Sequence, residues 1–295
     1  MKQVRRSRRP PGQYAKRTRG QTPVKQVLVE EMLDLEVVGQ GATTKIYRDG
    51  NIAIKLYVNT QDAWSSSSPS ERPDQSDAAA NEAERQRFAY NAGLPVPAVY
   101  GVRKLSDNAV ALDMEYINGR PLIQLGMDKD ERRNAIHILA NLQCKVHNIH
   151  AIGLPNQVER IAWKIKSTKH LDNPLKDKLL SLLMNLDDGF EWLCHGDFHP
   201  LNILYDGSKH WIIDWVDTTA GNPLADACRT YLIFMQYMNR LAGIYLNAFC
   251  KESKSKKDDV LAWLPVVAAA RLNENMDDKS RAWLINMVKD INYPQ

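Results

Sequence analysis

The chain has 295 residues, of which 44% are hydrophobic and 25% are charged, and its formal net charge is +4. This size and composition are typical of a globular protein with a substantial core, built as one large or two modest domains. No apolar run is long enough to predict a membrane span, and the first residues lack the apolar stretch of a secretory signal. The four cysteines form no Cys-x-x-Cys pair, so we expect reduced thiols and a cytoplasmic protein.

The positive charge is concentrated at the start of the chain. Residues 1–20 contain eight Lys and Arg and no acid, which leaves 31 basic and 35 acidic residues in the rest. Because residues 1–24 have almost no apolar side chains, we predict a basic, disordered tail there. Such a tail suits binding to nucleic acid or an anionic surface, an organelle-targeting segment, or a dispensable extension. We expect residues 25–295 to have no nucleic-acid partner.

The first predicted elements are strands with a glycine-rich turn. Residues 35–48 predict a hairpin, and residues 51–57 predict a third strand. Glycines in such a turn let backbone amides approach phosphates, because no β-carbon intervenes. No Gly-x-x-x-x-Gly-Lys-Ser/Thr motif is present, which argues against the P-loop class. The candidate phosphate-binding residues of the turn are Gly39, Gly41, Ala42, Thr43 and Thr44.

A lysine and a glutamate follow in an order typical of kinases. Lys55 lies in the middle of the apolar third strand, where a lysine can reach nucleotide phosphates and pair with a glutamate of the next helix. A Ser/Pro-rich connection, residues 65–77, precedes a helix predicted over residues 78–90. Glu82 and Glu84 lie on different faces of that helix, and either could be the partner.

Two more strands and a set of helices complete the predicted elements. Strands over residues 96–102 and 109–117 finish a five-stranded, one-helix lobe, and Asn118-Gly119 forms a hinge. Asp226 is predicted to cap a helix and to brace the loop at residues 195–202, which is predicted below to be the catalytic loop. His137, His147 and His150 are predicted to be ordinary helix histidines, because no carboxylate cluster accompanies them. Helices are predicted over residues 129–149, 175–186, 226–246, 259–272 and 278–291.

Residues 191–217 carry the densest group of chemically useful side chains. Asp197 and Asn202 are five residues apart, and Asp214 ends an apolar strand after a turn at residues 206–207. Phosphoryl transfer needs one carboxylate for the attacking hydroxyl, with an amide and a second carboxylate to hold magnesium. The spacing therefore predicts Asp197 as the catalytic residue and Asn202 and Asp214 as the metal ligands. The alternative is a surface hairpin in which these residues only cap turns.

Three segments show a specific resemblance. They are His-Gly-Asp-Phe-His-Pro-Leu-Asn at residues 195–202, Ile-Asp-Trp at 213–215 and Gly-Asn-Pro-Leu-Ala-Asp at 221–226. Together they resemble the aminoglycoside phosphotransferase and choline kinase-like family. The resemblance implies an α+β, protein-kinase-like, two-lobed fold with a β-rich N-lobe at residues 25–117 and a mainly helical C-lobe at residues 118–295. It also implies that ATP and Mg²⁺ bind in the cleft between the lobes.

The resemblance implies further roles for named residues. Glu82, thirteen residues before Pro95, would be the partner of Lys55. Met114, the carbonyl of Glu115 and the amide of Ile117 would bind the adenine. His195 is expected to hold the catalytic loop by hydrogen bonds, and His199 either to contact the γ-phosphate or to pack.

The implied function is transfer of the γ-phosphate of ATP to a hydroxyl of a small molecule, an aminoglycoside-type antibiotic or a hydroxylated metabolite. A protein kinase is the first alternative, but no Ala-Pro-Glu signature or long activation segment follows Asp214, and Gly221 comes seven residues later. A catalytically silent nucleotide-binding module is the second, and the intact set of Lys55, Asp197, Asn202 and Asp214 argues against it.

The acceptor is the least determined part of the function. Members of the family that bind polycationic aminoglycosides use an acidic pocket built largely from the C-terminal helices. Residues 251–295 hold eight basic and seven acidic residues, which gives no acidic bias, although Glu274, Asp277 and Asp278 could converge. We therefore expect a hydroxylated small molecule and do not favour an aminoglycoside.

Overall fold

The structure is a computed structural model that describes residues 32, 35–40, 44–58, 75–106 and 109–290. The predicted basic tail, the turn residues Gly41, Ala42 and Thr43, and residues 65–74 of the Ser/Pro-rich connection lie outside the described residues.

The N-terminal part is a five-stranded antiparallel sheet with one helix against it. The elements of this part are β1 (Glu36–Gln40), β2 (Thr44–Asp49), β3 (Ile52–Val58), α1 (Gln75–Asn91), β4 (Val99–Ser106) and β5 (Ala109–Glu115). The strand order in the sheet is β1-β2-β3-β5-β4. Helix α1 buries Ala79 and Ala83 against Leu112 and Met114 of the sheet.

Short strands and helices form the C-terminal part. Its strands are β6 (Arg120–Pro121), β7 (Trp192–Cys194), β8 (Ile203–Tyr205), β9 (His210–Ile212) and β10 (Thr219–Gly221). Its helices are α2 (Lys129–Val146), α3 (Gln157–Ser167), α4 (Asn173–Leu186), α5 (Pro223–Tyr237), α6 (Asn239–Ser253), α7 (Lys257–Leu261), α8 (Leu264–Arg271) and α9 (Asp278–Asp290). Within the described residues, no helix combines the length and apolar character that crossing a membrane requires.

The helices begin where the sequence supplies caps. Asp128 forms a capping box with Glu131 at the start of α2, and Asp172 accepts a hydrogen bond from the Leu175 amide at the start of α4. The large core packs α5, α6 and α8 together, and Phe234, Tyr245 and Trp263 are buried in it. The predicted α+β class, with strands first and helices after, is confirmed.

Several predicted boundaries are wrong. The predicted helix 226–246 is two helices, α5 and α6, and Asn222 rather than Asp226 caps α5: the Asn222 side chain accepts from the Leu224 amide, and Pro223 begins the helix. The predicted helix 259–272 is likewise two helices, because the chain turns before Leu264, where α8 begins, and Pro265 lies in the first turn of α8. Helix α3 was missed, since its charged residues obscure the apolar face.

Candidate active site

The predicted catalytic loop, residues 195–202, connects β7 to β8, and its second residue, Gly196, lies where a side chain would clash. Gly196 has a φ of 82°, in the left-handed region that favours glycine. A β-carbon there would lie 2.3 Å from the backbone oxygen of Asp217. The loop then passes Asp197 and makes a short 3₁₀ turn over Pro200–Asn202 before entering β8. Gly196 thus lets the loop fold tightly against the segment after Asp214.

His195 holds the loop from inside the core, as expected. Its side chain is fully buried, and burial lowers the pKa of its imidazole, so the ring is neutral at pH 7. Nδ1 accepts a hydrogen bond from the Asp197 amide at 3.2 Å. Nε2 therefore carries the proton and donates to the Ile213 carbonyl at 3.0 Å. One neutral histidine links the loop to the residue before Asp214.

Asp197 contacts three side chains. The Asn202 amide nitrogen donates to its backbone oxygen at 2.9 Å and lies 3.3 Å from its Oδ2. His199 Nε2 is 3.2 Å from Oδ2, and Arg229 Nη2 is 3.5 Å from Oδ1. Burial by itself would raise the pKa of Asp197, but His199 and Arg229 together hold that pKa below its ordinary value. Asp197 is therefore a carboxylate at neutral pH.

Lys55 joins the sheet to the C-terminal part. Its Nζ lies 2.8 Å from Glu82 Oε1 and 2.8 Å from Asp214 Oδ1. Burial alone would lower the pKa of Lys55, but the carboxylates of Glu82 and Asp214 raise it, so the ammonium stays charged. Glu82 is only 1% exposed and also accepts a hydrogen bond from the Tyr57 hydroxyl. The buried position of Glu82 follows from its place on the inward face of α1, beside Ala79 and Ala83.

Asp214 follows β9 in an unusual backbone conformation. Its φ is 66°, a left-handed value that aspartate tolerates better than most residues. Its side chain remains 40% exposed, although Oδ1 accepts from Lys55. The Ile213 amide donates to the Asn202 carbonyl at 3.0 Å. The two predicted metal ligands are thus held on adjacent backbone segments.

Asp226 braces the catalytic loop from within α5. Its Oδ1 accepts from the Gly196 amide at 2.7 Å, and its Oδ2 lies 3.1 Å from Gln143 Nε2 and 2.9 Å from His147 Nε2. Burial would raise the pKa of this carboxyl, but the contacts with His147 and Gln143 lower it. The predicted brace is present, and it acts from the interior of the helix. His147, one of the three helix histidines, belongs to this brace.

The predicted nucleotide-binding residues that the structure describes here lie on β1, β2 and β5 and on the segment that follows β5. Gly39 is in β1, where a β-carbon would meet the Ile46 side chain at 3.2 Å, and Thr44 begins β2 opposite Tyr57. Met114 is buried near the end of β5 beside Ala53. The Glu115 amide donates to the Ala98 carbonyl, and the Ile117 carbonyl accepts from the Gly119 amide. Their role in adenine binding remains a prediction.

The sequence analysis missed a cluster of charged residues next to Asp197. Arg229 donates to the Gly196 carbonyl, contacts Asp197, and donates to Glu274 Oε1 at 2.6 Å. Lys164 lies 3.3 Å and Arg271 3.1 Å from the same Glu274 carboxylate. The spacing Asp226-x-x-Arg229 places both on one helix face and could have indicated Arg229. The other members come from α3 and α8, far away in sequence.

The three acids that were predicted to be able to converge do not do so. Glu274 is paired with Arg229, Lys164 and Arg271, and these charges hold its pKa at about 2, although burial would raise it. Asp277 accepts from the Ser280 amide at the start of α9, and Asp278 pairs with Arg281 at 2.6 Å. These residues form no acidic pocket.

Comparison with known proteins agrees with this architecture. The sequence model of the phosphotransferase enzyme family (APH) matches residues 45–264. No curated protein sequence matches the chain significantly. Among solved structures, a thermostable mutant of aminoglycoside phosphotransferase APH(4)-Ia, in ternary complex with AMP-PNP and hygromycin B, has a TM-score of 0.61 and 15% identity, covering 91% of this chain and 97% of that one.

Two further solved structures have similar values. Aminoglycoside-3'-phosphotransferase of type VIII has a TM-score of 0.58 and 19% identity over 80% of this chain and 93% of that one. A choline/ethanolamine kinase family protein from Mesorhizobium loti has a TM-score of 0.58 and 18% identity over 86% of each chain. The predicted protein-kinase-like, two-lobed fold is confirmed.

Proposed function

Since the chain belongs to the phosphotransferase enzyme family, we propose that it transfers the γ-phosphate of ATP to a hydroxyl of a small molecule. In this proposal residues 25–117 bind the nucleotide, and residues 118–295 supply the catalytic groups and bind the acceptor. A structural neighbour in complex with AMP-PNP and hygromycin B supports both ligand classes. A cytoplasmic location remains a prediction.

The nucleotide side has the groups that bound ATP needs. Lys55 is a charged ammonium fixed between two carboxylates, so it can form charge-assisted contacts with phosphate oxygens without rearranging its strand. Glu82 is too buried to meet solvent and serves to hold Lys55. When bound, magnesium-ATP supplies the γ-phosphoryl group that is transferred.

Asn202 and Asp214 fit magnesium. The Asn202 amide nitrogen faces Asp197, which leaves its carbonyl oxygen for a cation, and Asp214 keeps an exposed carboxylate. Magnesium prefers such oxygen ligands and is bound through one or two carboxylates together with nucleotide phosphates. Among the described residues, no group of three or more His, Cys, Asp or Glu could hold a metal ion. The proposed site therefore relies on the phosphates as additional ligands.

Asp197 is proposed to orient the acceptor hydroxyl and accept its proton. Its carboxylate is ionised and is fixed by Asn202, His199 and Arg229, so one geometry is selected before the acceptor binds. His199 bonds to Asp197 rather than packing into the core, which makes it a positioning residue in this scheme.

One observation carries the proposal. Lys55, Glu82 and Asp214 form one bonded group, Asp197 and Asn202 form another, and the hydrogen bond from Ile213 to Asn202 joins them. This arrangement supports a site in which the phosphates, the metal ion and the acceptor hydroxyl would lie side by side. If Asp214 only capped a turn of a surface hairpin, its contact with the buried Lys55 of a distant sheet would not be expected.

The test is ATP consumption with a panel of hydroxyl acceptors. We expect magnesium-dependent ATP binding and ADP release that requires a small-molecule acceptor. Lys55→Ala should weaken ATP binding, while the exposed Lys166→Gln should not. Labelling of protein substrates alone would indicate a protein kinase, and ATP binding without any turnover would indicate a silent module.

A further inference from the structure

A cavity lies directly beside the catalytic loop. It has a volume of about 60 Å³ and is bordered by Gly196, by Arg160 and Lys164 of α3, by Asp217, and by Arg229 of α5. One water molecule needs about 10–15 Å³ of such volume, so the cavity has room for a compact group of a few heavy atoms. Its contact with Gly196 and Arg229 places it next to Asp197, where the proposed acceptor must bind.

Cations outnumber carboxylates among the residues that border this cavity. Lys164, Arg229 and Arg271 all contact Glu274, and Arg160 and Arg229 both contact Asp217. Asp226 also borders the cavity, but its carboxylate already accepts from the Gly196 amide and contacts Gln143 and His147. The residues that border the cavity therefore include three cations, Arg160, Lys164 and Arg229, and two carboxylates, Asp217 and Asp226.

Arg160 has an unused hydrogen-bond donor at this place. Its Nη2 donates to Asp217, but its buried Nη1 has no hydrogen-bond partner among the described residues. A buried donor without a hydrogen-bond partner is unfavourable, so an acceptor atom brought by a ligand would be favoured.

We propose that the acceptor carries a carboxylate or phosphate group, which binds Arg160 and Lys164 and so presents a neighbouring hydroxyl to Asp197. This inference rests on the proposed function and specifies its substrate class. A planar guanidinium binds such groups through paired hydrogen bonds, and the cavity matches their size. A polycation would meet like charges at the same place, at a cost in affinity.

The first experiment measures anion affinity by calorimetry, with malonate and inorganic phosphate as probes. AMP-PNP and magnesium are kept saturating, so that the nucleotide site is filled. We expect the wild type to bind both probes, and Arg160→Gln to weaken them at least about tenfold. Lys166→Gln is the matched control: it removes one positive charge from the same helix at an exposed position, and we expect no change.

Two further variants guard against a folding defect. Arg160→Lys keeps the charge but loses the paired donors, and should bind the anions with intermediate affinity. Lys164→Gln removes the other cation and should weaken binding severalfold. Absence of anion binding by the folded wild type, or equal losses in the Arg160 variants and in Lys166→Gln, would overturn the inference.

The second experiment compares acceptors of one carbon skeleton and different charge. Gluconate, glucose 6-phosphate, glucose and glucosamine are assayed for phosphorylation at equal concentration. We expect the two anions to be preferred, and Arg160→Gln to reduce that preference, measured as the ratio of the rate with gluconate to the rate with glucose. A preference for glucosamine would overturn the inference. If none of the four compounds is phosphorylated, the calorimetric anion affinities of the first experiment decide whether the inference holds.

The two proposals fail in different ways. Loss of magnesium-dependent AMP-PNP binding in the wild type would refute the proposed function. The anion affinity is also measured without nucleotide, so its dependence on Arg160 is tested in either case. If the wild type binds AMP-PNP but the anion affinity is the same in the wild type and in Arg160→Gln, only the proposed acceptor class is refuted.

Discussion

The proposed nucleotide and acceptor sides of the catalytic loop differ in their balance of charged side chains. On the nucleotide side, a single cation, Lys55, lies between the carboxylates of Glu82 and Asp214. On the acceptor side, the cavity is bordered by three cations, Arg160, Lys164 and Arg229, and by two carboxylates, Asp217 and Asp226. The first environment suits a metal cation held with phosphates, and the second suits an anionic group. Asp197 lies between them and contacts both Asn202 and Arg229.

The largest effect is expected for Asp197→Asn. The variant should lose phosphoryl transfer by about 10²–10⁴-fold, because the amide cannot accept the proton of the hydroxyl. ATP affinity should stay within about twofold, since Asp197 faces the acceptor. Turnover and calorimetric ATP affinity are measured on the same preparation. Turnover within a few-fold of wild type would remove Asp197 from the catalytic role.

The contacts by which Asp226 holds the catalytic loop are tested with the variant Asp226→Asn. Removing the buried charge leaves His147, Gln143 and the Gly196 amide with a weaker partner, and should lower the free energy of unfolding by about 3 kcal/mol. Urea unfolding measures this change. Asp177→Asn, at an exposed position of α4, is the matched control and should have no effect. Equal stability of both variants would show that the brace contributes little.

On the nucleotide side, Asp214→Ala separates metal binding from catalysis. ATP affinity in the presence of magnesium should fall at least about tenfold, because a proposed ligand is lost. Affinity without magnesium should change less or even rise, since Lys55 loses one of its two carboxylate partners and can reach the phosphates. Unchanged affinity with magnesium would mean that Asp214 is not a metal ligand.

On the acceptor side, Glu274→Gln should reduce the free energy of unfolding at pH 7 by up to about 3 kcal/mol. The pKa of Glu274 is lowered to about 2 in the folded protein from an ordinary value of 4.5. A carboxyl group whose pKa is lower in the folded than in the unfolded protein stabilises the fold fully at a pH above its unfolded-state pKa. This contribution is lost as the pH falls through the pKa of the folded state. The difference between wild type and variant should therefore be constant from pH 7 to about 5 and shrink below that. A difference that grows on acidification would contradict the assigned ion pairs.

The sequence revealed the nucleotide side more completely than the acceptor side, for a physical reason. Asp197, Asn202 and Asp214 lie within eighteen residues, and their spacing is set by a short hairpin. Lys55 stood out as a charge in an apolar strand, and its contact with Glu82 agrees with the prediction. The acceptor side combines α3, α5, α8 and the segment around Glu274, and no local pattern specifies how such distant helices pack.

Local chemistry also explains the errors in the fold. Asp226 has the residue type of a helix cap, but Asn222 and Pro223 come one turn earlier and begin the helix. Asp226 is therefore free to face inward and meet Gly196. Arg229 lies one helical turn after Asp226, yet its role depends on Gly196, Asp197 and Glu274 being brought together by the fold.

The most direct test of the central claim uses an unbiased set of acceptors. The small-molecule fraction of a cell extract is incubated with magnesium-ATP and wild-type protein or Asp197→Asn, and the products are compared by mass spectrometry. We predict a phosphorylated small molecule that bears a carboxylate or phosphate group, formed by the wild type and missing with the variant. A phosphorylated neutral or cationic product would contradict the acceptor class, and equal product with both proteins would contradict the catalytic assignment.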